Sequence, residues 1–357
     1  MKRNIVFILL IMSLFAGSQV NDYSWRHLVN NAPDSFYFTA EAREIAENVL
    51  VYQRPSGGWP KNIQMHKPID EEVRAELAIP NNNDAKYAPT IDNDATITEM
   101  RFMAKMYRAV QEERYKKSFE KALSYLFEAQ YSNGGFPQFY PLRKGYYGHI
   151  TYNDDATYNV LKMLKAVYEQ SPEYAFAATP EIAARAKKAF EKGIECILKT
   201  QIFRNEEPTV WCQQYDEFTL ELASARAYEL PSFCTKESAN LALLLMEIPN
   251  PSPEIIRSVD GAVKWFEAHK ITGIRQEYKE NTEGKKDKFI VEDAGAPAIW
   301  ARFYDLETEQ PFFCDRDGVK QQKLSDIGYE RRNGYGWYID NPNILLEKYP
   351  EWRKMQE

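Results

Sequence analysis

Cysteine is scarce in this chain of 357 residues, which contains only four. None of the four has the Cys-x-x-Cys spacing of a structural zinc site, so zinc-stabilised folds of that kind are excluded. The first cysteine is Cys196, and a lipid-modified N-terminal cysteine is therefore not expected. In an oxidising compartment the four thiols allow three disulfide pairings, and the sequence leaves both these and buried free thiols open.

Long apolar runs are absent after the first twenty residues. No later run approaches the eighteen or so residues that a membrane-spanning helix needs, so we expect no membrane span in the mature protein. Residues 1–20 combine a basic start, an apolar stretch from Ile5 to Phe15 and small residues suited to cleavage. This order is typical of a signal peptide, so we expect residues 21–357 to be exported, either to a periplasm or out of the cell.

An excess of positive charge is also missing. The net charge is −7 at pH 7, and loss of Lys2 and Arg3 with the signal peptide makes it more negative by two units. This acidity argues against general nucleic-acid binding, and any anionic ligand must be held by local cations. No proline- or serine-rich linker and no block of like charge divides residues 21–357, so we predict a single domain and expect a monomer.

Helical periodicity recurs from Thr39 to about Lys270. Two helix starts combine an N-cap residue, a proline and an acid, at Thr179-Pro180-Glu181 and Ser252-Pro253-Glu254. After about residue 271 the chain has only short β-like runs, and we predict an irregular lobe there. Apolar spacing predicts further helices at about 40–53, 94–111, 114–130, 155–170 and 235–248.

One loop between helices occurs twice. The segment from Gln53 to Pro60 returns as Gln130 to Pro137, each copy contains Gly-Gly-aromatic-Pro, and an Asp/Asn cluster follows each. A third copy is expected to start at Thr200-Gln201. Helix pairs stacked around an axis bring such loops to one end of the molecule. The sequence therefore predicts a mainly α fold, an (α/α) toroid or partial toroid with long irregular loops and a few short strands.

The two Asp/Asn clusters, at residues 92–94 and 153–155, allow two interpretations. Their side-chain oxygens can cap the helices that follow, since the first amide groups of a helix lack partners. The clusters hold more oxygens than capping needs, however, and Ca²⁺ accepts six to eight oxygen ligands. A weak calcium site completed by substrate is therefore the functional alternative.

Aromatic and cationic residues suggest an acidic glycan as ligand. Trp59 and Tyr147 offer flat apolar faces of the kind that stack on sugar rings, and the alternative is a buried ring that locks its turn. Four cations stand in unusual settings, and Arg302 lies between aromatic residues. These cations could grip carboxylates, or they could form internal salt bridges. The four are Arg226, Lys288, Arg302 and Arg316.

Six ordered motifs together resemble the family-10 pectate lyases over about residues 52–340, nearly the whole mature chain. Each motif alone would be weak evidence, but their order makes the resemblance specific. They are Gly57-Gly-Trp-Pro-Lys-Asn62, Ile91-Asp-Asn-Asp-Ala-Thr96, Gly134-Gly-Phe-Pro-Gln138, Asn153-Asp-Asp-Ala156, Arg226-Ala-Tyr-Glu-Leu-Pro231 and Trp300-Ala-Arg-Phe-Tyr304.

The resemblance implies an (α/α) toroid and Ca²⁺-assisted β-elimination of α-1,4-linked polygalacturonate, which yields 4,5-unsaturated oligogalacturonides. It implies Arg226 as the base that removes the C5 proton. It further implies Asp92 and Asp154 as calcium ligands, and Asn93, Lys288 and Arg302 as substrate-binding residues. The family commonly has a small residue where this chain has Asp94, and serine or glycine where it has Cys314.

Three other functions remain open from the residues themselves. An inverting glycoside hydrolase could use Asp92 and Asp154 as its two carboxylates. A terpenoid-cyclase-like toroid would also explain the Gln-x-x-x-Gly-x-Trp sequence that ends at Trp59, although export argues against it. A non-catalytic glycan-binding module would use the aromatic rings without turnover.

Overall fold

The structure is a computed structural model and describes residues 23–79 and 86–357. The signal peptide predicted at residues 1–20 lies outside the described residues. None of the described helices is both long and apolar enough to cross a membrane.

The described residues form a mainly helical fold, as predicted, and the helices make an (α/α) toroid. Consecutive helices pack in pairs, α4 with α5, α6 with α7, and α8 with α9. The eleven described α-helices are α1 (Trp25–Asn31), α2 (Ala40–Tyr52), α3 (Glu71–Ala78), α4 (Ile97–Val110), α5 (Glu113–Ala129), α6 (Ala156–Tyr168), α7 (Pro180–Thr200), α8 (Thr235–Met246), α9 (Pro253–Ala268), α10 (Tyr329–Gly334) and α11 (Pro342–Lys354).

The predicted repeat is present three times and is held by the same glutamine contact each time. The side-chain amide of Gln53 donates to the carbonyl of Gly57 in its own loop at 2.8 Å and to that of Ser118 in α5 at 2.8 Å. Gln130 and Gln201 make the equivalent pair of hydrogen bonds, each to its own loop and to the next helix pair. These amides fasten each irregular loop to its neighbour, so the loops line one end of the toroid.

Twelve short strands occur in the described residues, all in two-stranded antiparallel pairs. The pair β5–β9 ties the chain after residue 271 to the third repeat, and the pair β8–β12 joins two segments of that later chain, so the predicted lobe is present. The strands are β1 (Ile150–Thr151), β2 (Phe203–Arg204), β3 (Glu207–Pro208), β4 (Gln214–Tyr215), β5 (Phe233–Cys234), β6 (Ile274–Glu280), β7 (Lys286–Glu292), β8 (Trp300–Ala301), β9 (Phe303–Tyr304), β10 (Phe313–Cys314), β11 (Lys320–Gln321) and β12 (Tyr338–Ile339).

The lobe has a small apolar core of its own beside the main one. Phe303, Phe313 and Trp337 are fully or almost fully buried in it, and Tyr228 joins them from the loop before α8. Burial of Tyr228 fixes the loop that carries Arg226 against the lobe.

All four cysteines of the chain are buried and form no disulfide. Of the two alternatives that the sequence left open, disulfides or buried free thiols, the structure has free thiols.

Candidate active site

The two Asp/Asn clusters form matching 3-10 turns that contact each other at the loop end of the toroid. In the first turn Asn93 and Asp94 have φ values of 54° and 63°, and in the second Asp154 and Asp155 have 49° and 62°. Asparagine and aspartate tolerate this left-handed conformation better than most residues. Such strained backbone is commonly stored at functional sites.

Of the two interpretations of the clusters, the one in which their side chains cap the helices is wrong. Helices α4 and α6 both start without a side-chain cap hydrogen bond, whereas Thr39, Thr179 and Ser252 do cap their helices. The cluster oxygens are therefore free for other contacts.

The first cluster holds a buried carboxylate with an oxygen to spare. Asp92 is 3% exposed, its Oδ2 accepts a hydrogen bond from Lys61, and its Oδ1 is buried without a partner among the described residues. Asn93 is exposed and donates to Asn62 Oδ1 at 3.1 Å. Asp94 is instead paired with Arg26 in α1, at 3.1 Å.

The second cluster faces two cations. Asp154 Oδ1 lies 3.0 Å from Lys236 Nζ and 3.5 Å from Arg302 Nη2. Burial alone would raise the pKa of Asp154, but the charges of Lys236 and Arg302 outweigh it and lower the pKa to about 2. Asp154 is therefore ionised at any pH at which the protein would work.

Arg302 forms an internal salt bridge, which was one of the two interpretations of this cation; the other was binding of a substrate carboxylate. Its Nη2 lies 2.6 Å from Glu237 Oε1 and 3.2 Å from Asn153 Oδ1, and the residue is 4% exposed. Burial opposes the charge of Arg302, but the carboxylate of Glu237 raises its pKa well above the ordinary value. Its Nε is buried without a partner in the described chain, so one N–H donor remains available. Arg316 is paired too, with Glu330 at 3.1 Å.

Arg226 is held by a carboxylate three residues further on. Its Nε donates to Glu229 Oε2 at 2.7 Å and its Nη2 to Glu229 Oε1 at 2.5 Å, while 41% of its side chain stays exposed. Burial lowers the pKa of Arg226, but the hydrogen bonds and the negative charge of Glu229 have the larger combined effect. The pKa of Arg226 is therefore raised above that of a free guanidinium. Arg226 is therefore a cation in this state.

Tyr335 joins the predicted cations at one place, and sequence reasoning missed it. Its ring centre lies 4.6 Å from Arg302 Cζ and 5.9 Å from Arg226 Cζ. Its hydroxyl donates to Glu229 Oε1 at 2.9 Å, and its carbonyl accepts from Lys288 Nζ at 2.6 Å. Three cations from stretches up to 76 positions apart thus meet around one residue, two at its ring and Lys288 at its carbonyl.

Lys288 is the least satisfied of these cations. It is 6% exposed, and burial lowers its pKa. Within the described residues it has no carboxylate partner, and its one side-chain hydrogen bond there is the one to Tyr335. A buried ammonium without a counter-ion favours the arrival of an external anion.

The two predicted aromatic contacts differ in exposure. Trp59 has no exposed surface and donates from Nε1 to the carbonyl of Val49 at 2.6 Å, which is the alternative of a ring that locks its turn. Tyr147 is half-buried and stacks on Tyr146 with ring centroids 4.2 Å apart. Of the two, only Tyr147 is partly exposed.

One group of three potential metal ligands occurs elsewhere among the described residues, formed by His149, Asp216 and Glu217. Its members already have partners, since His149 Nδ1 lies 3.0 Å from Glu217 Oε2. Asp216 Oδ1 accepts two backbone N–H groups of its own turn. The group therefore has a structural explanation.

Comparison with known proteins now gives the family. The family model for pectic acid lyase matches residues 53–346. The chain belongs to this family of lyases. Two solved structures of a family 10 polysaccharide lyase from Cellvibrio cellulosa are similar to it, each at 32% identity and covering 92% of this chain and 95% of the other. One is an aspartate-to-alanine mutant in complex with trigalacturonic acid, with a TM-score of 0.77, and the other has a TM-score of 0.78. A search of curated proteins gives no significant match.

The resemblance to family-10 pectate lyases and the predicted enzyme class are thereby confirmed. The sequence motifs identified Arg226, Lys288 and Arg302 as candidate site residues. They did not identify Tyr335, Lys236 or Glu237. Lys236 and Glu237 open α8, the helix of the expected third repeat, but this helix start lacks the Asp/Asn cluster that drew attention to the first two.

Proposed function

We propose that this pectate lyase cleaves α-1,4-linked polygalacturonate by β-elimination, with Arg226 as the base. The observation that supports this most is the meeting of Arg226, Lys288 and Arg302 around Tyr335, beside the oxygen-rich turn at 153–155. An acidic saccharide offers one carboxylate per ring to such a set of cations.

The reaction would proceed without a net redox change. The C5 proton passes to Arg226, the C4–O bond breaks, and the electron pair of the C5–H bond forms the C4–C5 double bond while the leaving oxygen takes up a proton. Negative charge builds on the uronate carboxylate as the C5 proton leaves. Lys288 and the free Nε of Arg302 would stabilise this charge, because preorganised donors in a poorly hydrated site act strongly on developing charge.

The residues fit a calcium ion. Carboxylate and amide oxygens are the ligands that Ca²⁺ prefers, and the buried Asp92 Oδ1 lacks a partner in the described chain. Asp92 and Asp154 would hold the ion, with substrate oxygens completing the set. When bound, calcium would draw charge from the substrate carboxylate and make the C5 proton more acidic.

Arg226 can act as a base only when it is neutral, and its contact with Glu229 opposes this. The neutral fraction grows with pH, and additional positive charge near Arg226 in the substrate complex would favour it further. We therefore propose an activity that rises well above pH 7.

Ultraviolet absorbance tests the proposal. Polygalacturonate is incubated with the protein and Ca²⁺, and elimination gives a conjugated double bond that absorbs, whereas hydrolysis gives only new reducing ends. Arg226→Ala should abolish the signal and retain binding, and a chelator should abolish it as well. Reducing ends without absorbance would instead support the hydrolase that uses Asp92 and Asp154.

The remaining proposals concern the whole chain. We propose that the signal peptide at 1–20 directs export, and that residues 21–357 act as a single-domain monomer on pectin outside the cytoplasm. The destination, periplasm or medium, is read from cell fractionation of the full-length chain.

A further inference from the structure

Arg143 is a guanidinium stacked on two aromatic rings at the edge of the active site. Its Cζ lies 4.7 Å from the centre of the Phe139 ring and 4.8 Å from that of the Tyr147 ring. The two rings pack edge to face with centroids 5.3 Å apart. Stacking suits the planar and weakly hydrated guanidinium and restricts the directions in which it points.

No anion balances Arg143 within the described chain. The side chain is half-buried, yet it makes no ion pair and no side-chain hydrogen bond with any described residue. Arg226 and Arg302, in contrast, each have a carboxylate partner. An internal salt bridge therefore does not explain Arg143, and its N–H donors match a planar carboxylate that comes from outside.

On one side Arg143 is connected to the proposed base. Tyr147, which it contacts, stacks on Tyr146 with centroids 4.2 Å apart. Burial raises the pKa of the Tyr146 hydroxyl, and the nearby charge of Arg226 opposes that rise. Tyr146 therefore lies within range of the charge of Arg226, and Arg143 contacts the neighbouring ring of Tyr147.

On the other side Arg143 is connected to the first acid cluster. Lys61 Nζ lies 5.5 Å from the centre of the same Phe139 ring. Lys61 is also the partner of Asp92. Arg143 thus lies on the wall that joins the two halves of the site, but its guanidinium contacts neither the base nor the acid clusters.

We propose that Arg143 binds the carboxylate of a galacturonate residue outside the two rings that flank the cleaved bond, with Tyr147 packing against the sugar. The inference rests on the proposed function and extends it to the length and charge of the substrate. A methyl ester at that position removes the negative charge, so this subsite selects the free acid.

The test uses a matched pair of arginine variants. Arg185 also stacks on an aromatic ring, with its Cζ 4.3 Å from the centre of Phe127, but it lies on the exposed face of α7. Arg143→Ala and Arg185→Ala therefore remove the same group from the same kind of contact. Both are introduced into Arg226→Ala protein, and binding of oligogalacturonides of increasing length is measured by calorimetry with Ca²⁺ present.

We expect Arg143→Ala to weaken binding of the longer oligomers by at least about tenfold, the loss of one charge-assisted contact. Binding of the shortest oligomers should change much less, and Arg185→Ala should bind like its parent at every length. In otherwise native enzyme, Arg143→Ala should raise KM for the polymer with little change in kcat.

Two results would overturn the inference. One is parental affinity of Arg143→Ala at every length. The other is an equal loss at every length, trimer included, because Arg143 would then act on the reacting subsites or on loop packing. If either result is found but the native enzyme still forms unsaturated products, the inference about Arg143 is wrong and the proposed function still holds. If the native enzyme forms no unsaturated products but Arg143→Ala weakens binding of the longer oligomers alone, the lyase proposal is contradicted. The binding role of Arg143 is then still supported.

Discussion

Arg226 and Glu229 face each other through two hydrogen bonds, from Nε to Oε2 at 2.7 Å and from Nη2 to Oε1 at 2.5 Å. The carboxylate positions the guanidinium and also raises its pKa. These two effects oppose each other in catalysis, because a base must be both well placed and neutral.

Glu229→Gln separates positioning from charge. Glutamine keeps an acceptor for Arg226 but removes the negative charge that raises the pKa of Arg226, so neutral Arg226 becomes available at lower pH. The alkaline rise of kcat/KM should therefore move to lower pH, by about one unit or more. The measurement is a pH profile of native and variant enzyme with polygalacturonate, and superimposable profiles would speak against Arg226 as base.

Arg302→Ala should destabilise the fold as well as reduce activity. Removing Arg302 leaves the buried Glu237 with Lys236, at 3.9 Å, as its remaining cation, and breaking one side of a buried pair costs up to about 3–5 kcal/mol. The free energy of unfolding is measured in urea. The double variant Arg302→Ala with Glu237→Gln should recover much of the stability but not the activity, whereas recovery of both would show that Arg302 has only a structural role.

Glu99 should make stability depend on pH. Burial raises its pKa to about 7, against the hydrogen bond that it accepts from Trp25 Nε1 at 2.7 Å. The folded state therefore binds a proton that the unfolded state releases near its ordinary pKa of about 4.5. This contribution is fully present below pH 4.5 and is lost as the pH rises through 7. Glu99→Gln keeps the acceptor for Trp25, so its unfolding free energy should decline less between pH 5 and pH 8, and parallel declines would contradict the assignment.

Alanine substitutions at two glycines should distinguish the cost of a steric clash from the cost of backbone strain. Both Gly134 and Gly145 have positive φ, at 95° and 86°, so alanine is strained at either position, by about 1–2 kcal/mol. A Cβ on Gly134 would lie 2.0 Å from the carbonyl oxygen of Lys192, whereas a Cβ on Gly145 would meet nothing within 4 Å. Thermal unfolding should show a clearly larger loss for Gly134→Ala. Equal losses would mean that the loop shifts away from α7 at little cost.

The sequence predicted the parts of the fold that depend on neighbouring residues. Thr179 and Ser252 cap their helices as expected, because capping needs only the residue and the three that follow. The helix predicted from about residue 94 instead starts at Ile97. Contacts between the two clusters, which are distant in sequence, hold the left-handed turns in place of a longer helix.

The site could be predicted only as far as its motifs extend. Arg226, Lys288 and Arg302 were found because each stands in an unusual local setting. Tyr335 stands in an ordinary one, and only the folded lobe brings its ring under the two arginines. Trp59 is the opposite case: its repeated motif suggested a sugar-binding ring, but the ring is buried and the motif reflects its packing.

The central claim is that these cations and acids carry out an elimination on one acidic saccharide, and the products formed in heavy-oxygen water test it most directly. Elimination should give chains that end in an unsaturated ring, with no heavy oxygen incorporated at the new reducing end, and none should form with Arg226→Ala. Saturated products that carry heavy oxygen from water at the cleaved bond would contradict the account.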